Sequence, residues 1–430
     1  MRYKRIDKQL FIENRERFVS LMEPNSVAIL RANDIMPTNA DGIMGFAQNN
    51  DLFYLSGIDQ EETILMLFPD HVKEELREVL FVKETNDHIK IWDGEKLTKE
   101  QAQEFSGIKN VQWVQRFEKL FQLVAFDADT IYLGQNEHKG TMLEIETRSD
   151  RFINWCKQAY PLHKYNRVAK ITKKLRVIKD HREIETINEA IRITDNAFRR
   201  ILKYVSPGLK EYEIEAEMWH EFIRSGGQRH AFQPIIGSGS NACALHYVKN
   251  DDIVQDSDMI LIDFGVCYGN YNSDITRCAP ANGKFTDRQR AVYLAVMRCM
   301  IEGAKSLRVG VSKDDHEKQV GQLMEKELID LGLLDAQEVK NQNPNSPLYK
   351  KYFMHSASHY LGLDVHDVGD YNRPFEEGMV FTCEPGIYIP EEGIGCRLEN
   401  DYLITSDGPV NLSESIPLDP DEIEELMADR

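Results

Sequence analysis

The sequence predicts an α/β N-terminal domain followed by an α+β C-terminal domain built as two similar halves. Three observations carry that reading. The chain has 430 residues, too many for a single core at roughly 100–200 residues per domain. Short apolar runs alternate with amphipathic stretches across roughly the first 165 residues. Beyond them a helix–glycine–helix pattern occurs twice, with Gly208 and Gly310 lying 102 residues apart.

Taken in order, Leu10, Phe11, Phe18 and Leu21 suggest a short amphipathic helix. Strand-like runs follow at Ser26–Leu30, Thr63–Phe68, Val79–Val82, Val111–Val114 and Thr130–Leu133. Helical stretches are expected near Val72–Arg77 and Lys99–Phe105, and an Asn- and Gly-rich loop over Asn33–Asn50. No phosphate-loop glycine pattern occurs. Around Lys170–Phe198 the pattern turns helical, with Ile184, Ile187, Ala190, Ile191 and Ala197 on one face. The expected domains are therefore 1–170 and 171–430. In the second, VSPGLK at 205–210 and LRVGVS at 307–312 each join two helices. Each pair is followed by Gly-rich strand material, which points to an internal duplication with a site between the halves.

Lys+Arg is 52 against Asp+Glu 71, a formal charge of −19. A duplex nucleic-acid binder needs a basic face, so nucleic acid is not an expected partner. No run reaches the ~18–20 apolar residues of a membrane span. Charges at Glu13, Arg15, Glu16 and Arg17 interrupt any signal-peptide core. Seven cysteines without a CxxC argue against a disulfide framework or thiolate zinc site. The expected location is cytoplasmic.

The chemistry concentrates in the second domain. MILIDFGVCYGNYNSDITR, 259–277, places Asp263 inside an apolar strand and Asp274 on the returning segment. A lone strand carboxylate is ordinarily capped or ion-paired; two brought together repel unless cations lie between them. HSASHYLGLDVHDVG, 355–369, holds His355, His359 and His366. MVFTCEPGIY carries Glu384, and GIGCRLENDYLIT carries Arg397, Glu399 and Asp401 at alternating positions. Asp263, Asp274, Glu384 and Glu399 with His359 make four carboxylates and one imidazole. That set matches two divalent cations, and its oxygen-rich character suits Mn²⁺ or Co²⁺ at least as well as Zn²⁺. Two metals roughly 3.5–4 Å apart would ionise a water, the chemistry of a hydrolase.

The order Asp263, Asp274, His359, Glu384, Glu399 resembles the pita-bread dinuclear metallopeptidases. GSGSNACALHY, 237–247, is similar to the family segment that supplies a further histidine, here His246. SHYLGLDVHDVG and FAQNNDLFYLSGIDQEETILML (46–67) resemble the aminopeptidase P branch, with prolidase the near competitor. The resemblance implies Xaa-Pro aminopeptidase activity: release of the N-terminal residue from peptides with proline second. It implies two divalent metals, with Mn²⁺ expected first, held by Asp263, Asp274, His359, Glu384 and Glu399. Glu384 would shuttle the proton, His366 would stabilise the oxyanion, and His246 and His355 would line the substrate cleft. Arg397 would hold the Glu399 side. Trp92 would reach a neighbouring subunit's site, so a homodimer or homotetramer is expected. The alternatives are a prolidase restricted to dipeptides, or a catalytically dead peptide-binding module. A metal-free amidinohydrolase would not need the five ligands. Two positions depart from the family: Ala47 stands where Arg is usual, and Ser356-Ala357 follow His355 where Gly is usual.

Overall fold

In the unit Ile6–Arg176, helices and strands alternate as α1 (Lys8–Ser20), β1 (Ser26–Arg31), α2 (Asn50–Ser56), β2 (Ile64–Leu67), β3 (Glu78–Val82), α3 (Asp87–Asp93), α4 (Lys99–Ser106), β4 (Asn110–Trp113), α5 (Phe117–Ala125), β5 (Thr130–Leu133), α6 (Arg148–Ala159), β6 (Lys164–Arg167) and α7 (Ala169–Arg176). The structure is a computed structural model that describes residues 2–429 except 139, 142 and 143. The strands form one sheet in the order β4-β3-β2-β1-β5-β6. β1 pairs parallel with β5 and antiparallel with β2. Val27 and Ile29 of β1 join Phe81, Phe117, Phe121 and Phe152 in a buried core on one face of this sheet.

Two expectations are corrected here, and one strand is new. The division falls after Arg176 instead of residue 170. α7 packs on α1 and α2, and the Arg176 Nη1–Asp51 Oδ1 bond of 2.8 Å ties its last residue to this unit. The segment near Val72–Arg77 forms only a single 3-10 turn, Glu74–Leu76, too confined between β2 and β3 for a helix. Strand β6, KYNR, was not anticipated; it is a polar strand at the sheet edge with no apolar alternation to reveal it.

The other unit comprises Val177–Arg430 and the first five residues. Lys4 N donates to the Tyr268 hydroxyl at 3.0 Å, and the Tyr3 and Tyr268 rings meet edge to face. Its elements are α8 (His181–Tyr204), α9 (Glu211–Arg224), β7 (Arg229–His230), β8 (Ile235–Ser238), β9 (Met259–Phe264), β10 (Val266–Tyr268), β11 (Tyr271–Asn272), β12 (Ile275–Pro280), α10 (Asp287–Ala304), α11 (Lys313–Asp330), α12 (Ala336–Lys340), β13 (Val380–Cys383), β14 (Gly386–Ile389), β15 (Ile394–Arg397), β16 (Asn400–Thr405), β17 (Gly408–Asn411) and α13 (Pro420–Ala428). α8 starts at a capping box of Asp180 and Glu183 and buries its Ile187–Ala190–Ile191–Ala197 stripe.

The duplication is visible in the backbone. α8 packs on α9, and α10 on α11. The turn between each pair uses a glycine of positive φ, Gly208 at 93° and Gly310 at 88°. Gly208 N donates to Val254 O while Val254 N donates to Leu209 O, both at 2.9 Å. Gly310 N donates to Phe375 O at 2.9 Å while Phe375 N donates to Val311 O at 2.8 Å. Asp263 follows Val254 by nine residues, and Glu384 follows Phe375 by the same nine. Asp263 pairs with Ile235 of β8; Glu384 N donates to Ala357 O on the segment that plays the part of β8. The two halves thus deliver two acids from equivalent positions.

The acidic run Asp421–Glu425 lies on a helix that docks by its other face: Asp421, Glu422 and Glu425 are exposed. Ile423 and Met427 of α13 are buried, and Glu424 accepts from Lys284 Nζ at 2.7 Å.

Candidate metal centre

β9 and β12 pair antiparallel, with Asp263 opposite Thr276. β13 and β16 pair with Cys383 opposite Asn400. The two hairpins meet where Glu399 N donates to Thr276 O at 3.1 Å. This junction gathers side chains from five separate stretches of sequence.

His359 is the hub. Its Nδ1 lies 3.0 Å from Tyr360 O, a group that can only accept, so Nδ1 carries the proton. Nε2 then faces Asp274 Oδ2 at 3.3 Å, Glu384 Oε1 at 3.7 Å and Glu399 Oε1 at 3.8 Å. Ligand atoms of Asp274, His359 and Glu399 all lie within 4.8 Å of one another. Asp263 lies beside them, with Oδ2 bound by Arg397 Nη2 at 2.5 Å. Asp263 Oδ1 and Glu399 Oε1 are buried without a hydrogen-bond partner. An unpaired buried carboxylate oxygen costs several kcal/mol.

The electrostatics agree with the geometry. Burial first, then the charge of Glu399, raises Asp274 and Glu384 well above the usual carboxylate range. Burial, followed by Asp263, raises Glu399 to about 7. Orphaned oxygens, acids resisting ionisation and one imidazole nitrogen aimed at them form a donor set that fits divalent cations. Glu384, with its side chain 17% exposed against 2–11% for the others, is the acid most open to solvent.

Arg397 differs from expectation. It holds Asp263 directly and reaches Glu399 only through Thr276: Arg397 Nε donates to Thr276 Oγ1 at 3.2 Å, and that hydroxyl donates to Glu399 Oε2 at 2.7 Å. The alternation read across 397–401 breaks because β15 and β16 are separate strands in different sheets. Arg397 Nη1 also donates to the Tyr388 hydroxyl at 2.7 Å. His355 Nδ1 faces Ser356 O at 2.8 Å and must donate there, so Nε2 accepts from the Tyr388 hydroxyl at 2.8 Å. Burial, then Arg397, lowers His355 to about 4 and keeps it neutral.

His366 is exposed, with its ring centroid 4.4 Å from that of His359. His246 is exposed on the turn after β8, without a hydrogen-bond partner among the described residues. Trp92 lies on α3 in the other unit, 78% exposed.

Several groups that shape this centre have no role assigned to them in the sequence reading. Tyr388 and Thr276 link Arg397 to His355 and Glu399. Asp401 is fully buried and accepts from Asp274 N at 3.2 Å. From α11, Glu317 accepts from Ala357 N with both oxygens at 3.0 Å, and from Lys313 Nζ at 2.7 Å and Ser356 Oγ at 2.5 Å. His316, fully buried, lies 2.6 Å from Ser358 Oγ. The Ser356-Ala357 departure is thus matched by a clamp from α11.

The profile of metallopeptidase family M24 matches residues 185–406, and that of the aminopeptidase P N-terminal domain matches 11–132. The Xaa-Pro aminopeptidase of Escherichia coli (strain K12) is 34% identical over 445 residues, covering 98% of each chain. The structure of Pseudomonas aeruginosa aminopeptidase PepP superposes with a TM-score of 0.90 at 30% identity over 99% of both chains. A zinc-substituted E. coli aminopeptidase P in complex with product gives 0.88 at 32% identity, again over 99% of both. Profile, full-length similarity and the order of acids around His359 agree: the chain belongs to metallopeptidase family M24 and carries an aminopeptidase P N-terminal domain.

Proposed function

We infer that this protein is a metal-dependent Xaa-Pro aminopeptidase that cleaves the bond before a proline at the second position of a peptide. The observation that carries this reading is the convergence of Asp274, Glu384 and Glu399 on His359 Nε2, with Asp263 beside them, in a chain similar over its full length to aminopeptidases of that name. Asp263, Asp274, His359, Glu384 and Glu399 would hold two divalent cations, with Mn²⁺ the first candidate and Co²⁺ or Zn²⁺ the alternatives. When bound, such ions lower the pKa of water and polarise the scissile carbonyl.

The protein groups divide the remaining work. Glu384, the open acid of the cluster, takes the proton of the attacking water and delivers it to the proline nitrogen as the C–N bond breaks. His366, beside His359, donates to the carbonyl oxygen as charge develops there. His355, neutral and fixed through Tyr388, and exposed His246 contact the substrate. Arg397 keeps Asp263 oriented. Proline lacks the N–H that ordinary peptidases bind and has a fixed φ, which favours a dedicated pocket. Trp92 reaches a neighbouring subunit in a homodimer or homotetramer. Seven free cysteines suit a reducing, cytoplasmic setting. No helix among the described residues is long and apolar enough to cross a membrane.

The test strips the protein with chelator, restores Mn²⁺, Co²⁺ or Zn²⁺ and offers Xaa-Pro, Xaa-Pro-Xaa and Xaa-Ala-Xaa. Turnover of Xaa-Pro-Xaa is expected; activity confined to the dipeptide would mean a prolidase. Glu384→Ala should lose at least about 100-fold in kcat, in the range of a general acid–base group; full activity would remove Glu384 from its role. Elution at the monomer mass in gel filtration would remove the Trp92 assignment.

A further inference from the structure

The N-terminal unit contains a cleft built from none of the residues gathered at the candidate metal centre. A cavity of about 300 Å³ is lined by Arg31, Arg148 and Arg151 together with Phe117, Phe152 and Trp155; Glu118 is the one acid on its wall. Alternation along β1 puts Arg31 on the same face as Val27 and Ile29, at the margin of the aromatic core. Its guanidinium lies 4.7 Å from the Phe152 ring centroid and 5.8 Å from that of Phe117. Its Nε is buried without a hydrogen-bond partner. Arg148 and Arg151 occupy the first turn of α6, at the positive end of that helix, where anions are favoured and cations are not. Asp34 pairs with Arg151. Arg148 has no ion-pair partner among the described residues. Burial, then Arg148, holds Arg31 down to about 10. Stacking on the rings accounts for Arg31 by itself, but not for two further arginines set against it in a chain of charge −19.

The position in the fold is also informative. The strand order runs outward from β1 in both directions, to β2 on one side and to parallel β5 on the other. Ligands of open α/β sheets bind outside the carboxyl ends of the strands at this reversal point. Arg31 is the last residue of β1. Arg151 also borders a second cavity of about 760 Å³, lined by residues of the loops that follow β1 and β5, including Asp34, Met36, Gln135 and Asn136.

We propose that this cleft binds a small phosphate-bearing ligand with a planar ring, of the nucleotide class. The arginine forks match phosphate oxygens bidentately. Trp155, 40% exposed and stacked on Phe152 at 5.6 Å, offers its outer face to a ring.

The experiment uses the full-length, metal-loaded protein. AMP, adenosine and inorganic phosphate are titrated by calorimetry and by tryptophan fluorescence. AMP is expected to saturate below about 1 mM, with the other two at least about tenfold weaker, since each makes only part of the contacts. Arg148→Met should weaken AMP at least about tenfold, the loss expected of one charge-assisted hydrogen bond, while peptide turnover is unchanged. Arg148→Lys, which keeps the charge and loses the fork, should fall between. Trp155→Phe should abolish the fluorescence change while calorimetric binding persists. Absence of saturable AMP binding, or equal AMP affinity in Arg148→Met, overturns the proposal. Phosphate binding as tightly as AMP overturns the nucleotide assignment.

Discussion

Glu317 is a residue through which α11 governs the histidine loop. Burial pushes its carboxyl up. The Lys313 charge and hydrogen bonds from Lys313, Ser356 and Ala357 outweigh burial and hold it below its usual value, so it stays ionised. Glu317→Gln keeps the shape but loses the charge and sets an amide N–H₂ against donors. About a tenfold fall in kcat/KM is expected, close to one charge-assisted hydrogen bond, with the fold intact. Unchanged steady-state kinetics would show that the loop holds His355 without the clamp. Tyr388→Phe breaks the chain Arg397–Tyr388–His355 at its centre, leaving His355 Nε2 without its donor and Arg397 Nη1 without that acceptor. It should cost about 1–3 kcal/mol of stability and lower kcat/KM, read by thermal melting and by turnover. A variant with wild-type melting and turnover would sink that account. Asp263 stands out in sequence because a carboxylate inside an apolar strand is anomalous on its face, whereas Asp274, His359, Glu384 and Glu399 lie outside the strands and stand out through the motif order they share with a known family. Tyr388, Thr276 and Glu317 do not. Their types are unremarkable in sequence, and their roles depend on which atoms meet across strands far apart in the chain.

The paired turns at Gly208 and Gly310 show how an element can be read from local chemistry. Each glycine has φ near 90°, and a Cβ added at either would meet nothing within 4 Å. Alanine at each position therefore meets strain without a clash, and roughly 1–2 kcal/mol is expected from the left-handed backbone alone. Gly208→Ala and Gly310→Ala should lower the melting temperature by similar amounts, and the double variant by about their sum, because the two turns share no partner. A much larger effect at one turn would break the equivalence of the halves. Helices with a clear apolar stripe and glycine punctuation, such as α8 to α11, were readable for this reason. β6 was not, because an edge strand needs no apolar face. Nor was the docking of α13, where Arg290 pairs with Asp421 and Glu424, and Tyr293 Oη donates to Leu418 O at 2.8 Å. Such partners lie more than 100 residues away and leave no local pattern.

At the scale of the whole molecule, the acid cluster couples folding, protons and metal. In the metal-free protein, burial and then the neighbouring acid raise Glu399 to about 7, against ~4.3 in an unfolded chain. Burial, then Glu399, also raises Asp274, Glu384 and Asp401. A carboxyl whose folded pKa exceeds its unfolded one binds more protons when folded, so stability falls as pH rises between the two values. The stripped protein should therefore lose melting temperature between about pH 4.5 and pH 7. Metal binding requires Asp274, Glu384 and Glu399 ionised and releases their protons, so the stability conferred by metal should grow over that interval. Ion pairs away from the centre, such as Asp180 with Arg182, which holds Asp180 near 2, contribute alike with and without metal and cancel in the difference. Melting curves of the chelator-treated and Mn²⁺-loaded protein, taken from pH 5 to 7.5 at fixed free metal, should diverge as pH rises. Parallel curves would mean that Asp274, Glu384 and Glu399 do not bind the ion whose chemistry the site requires.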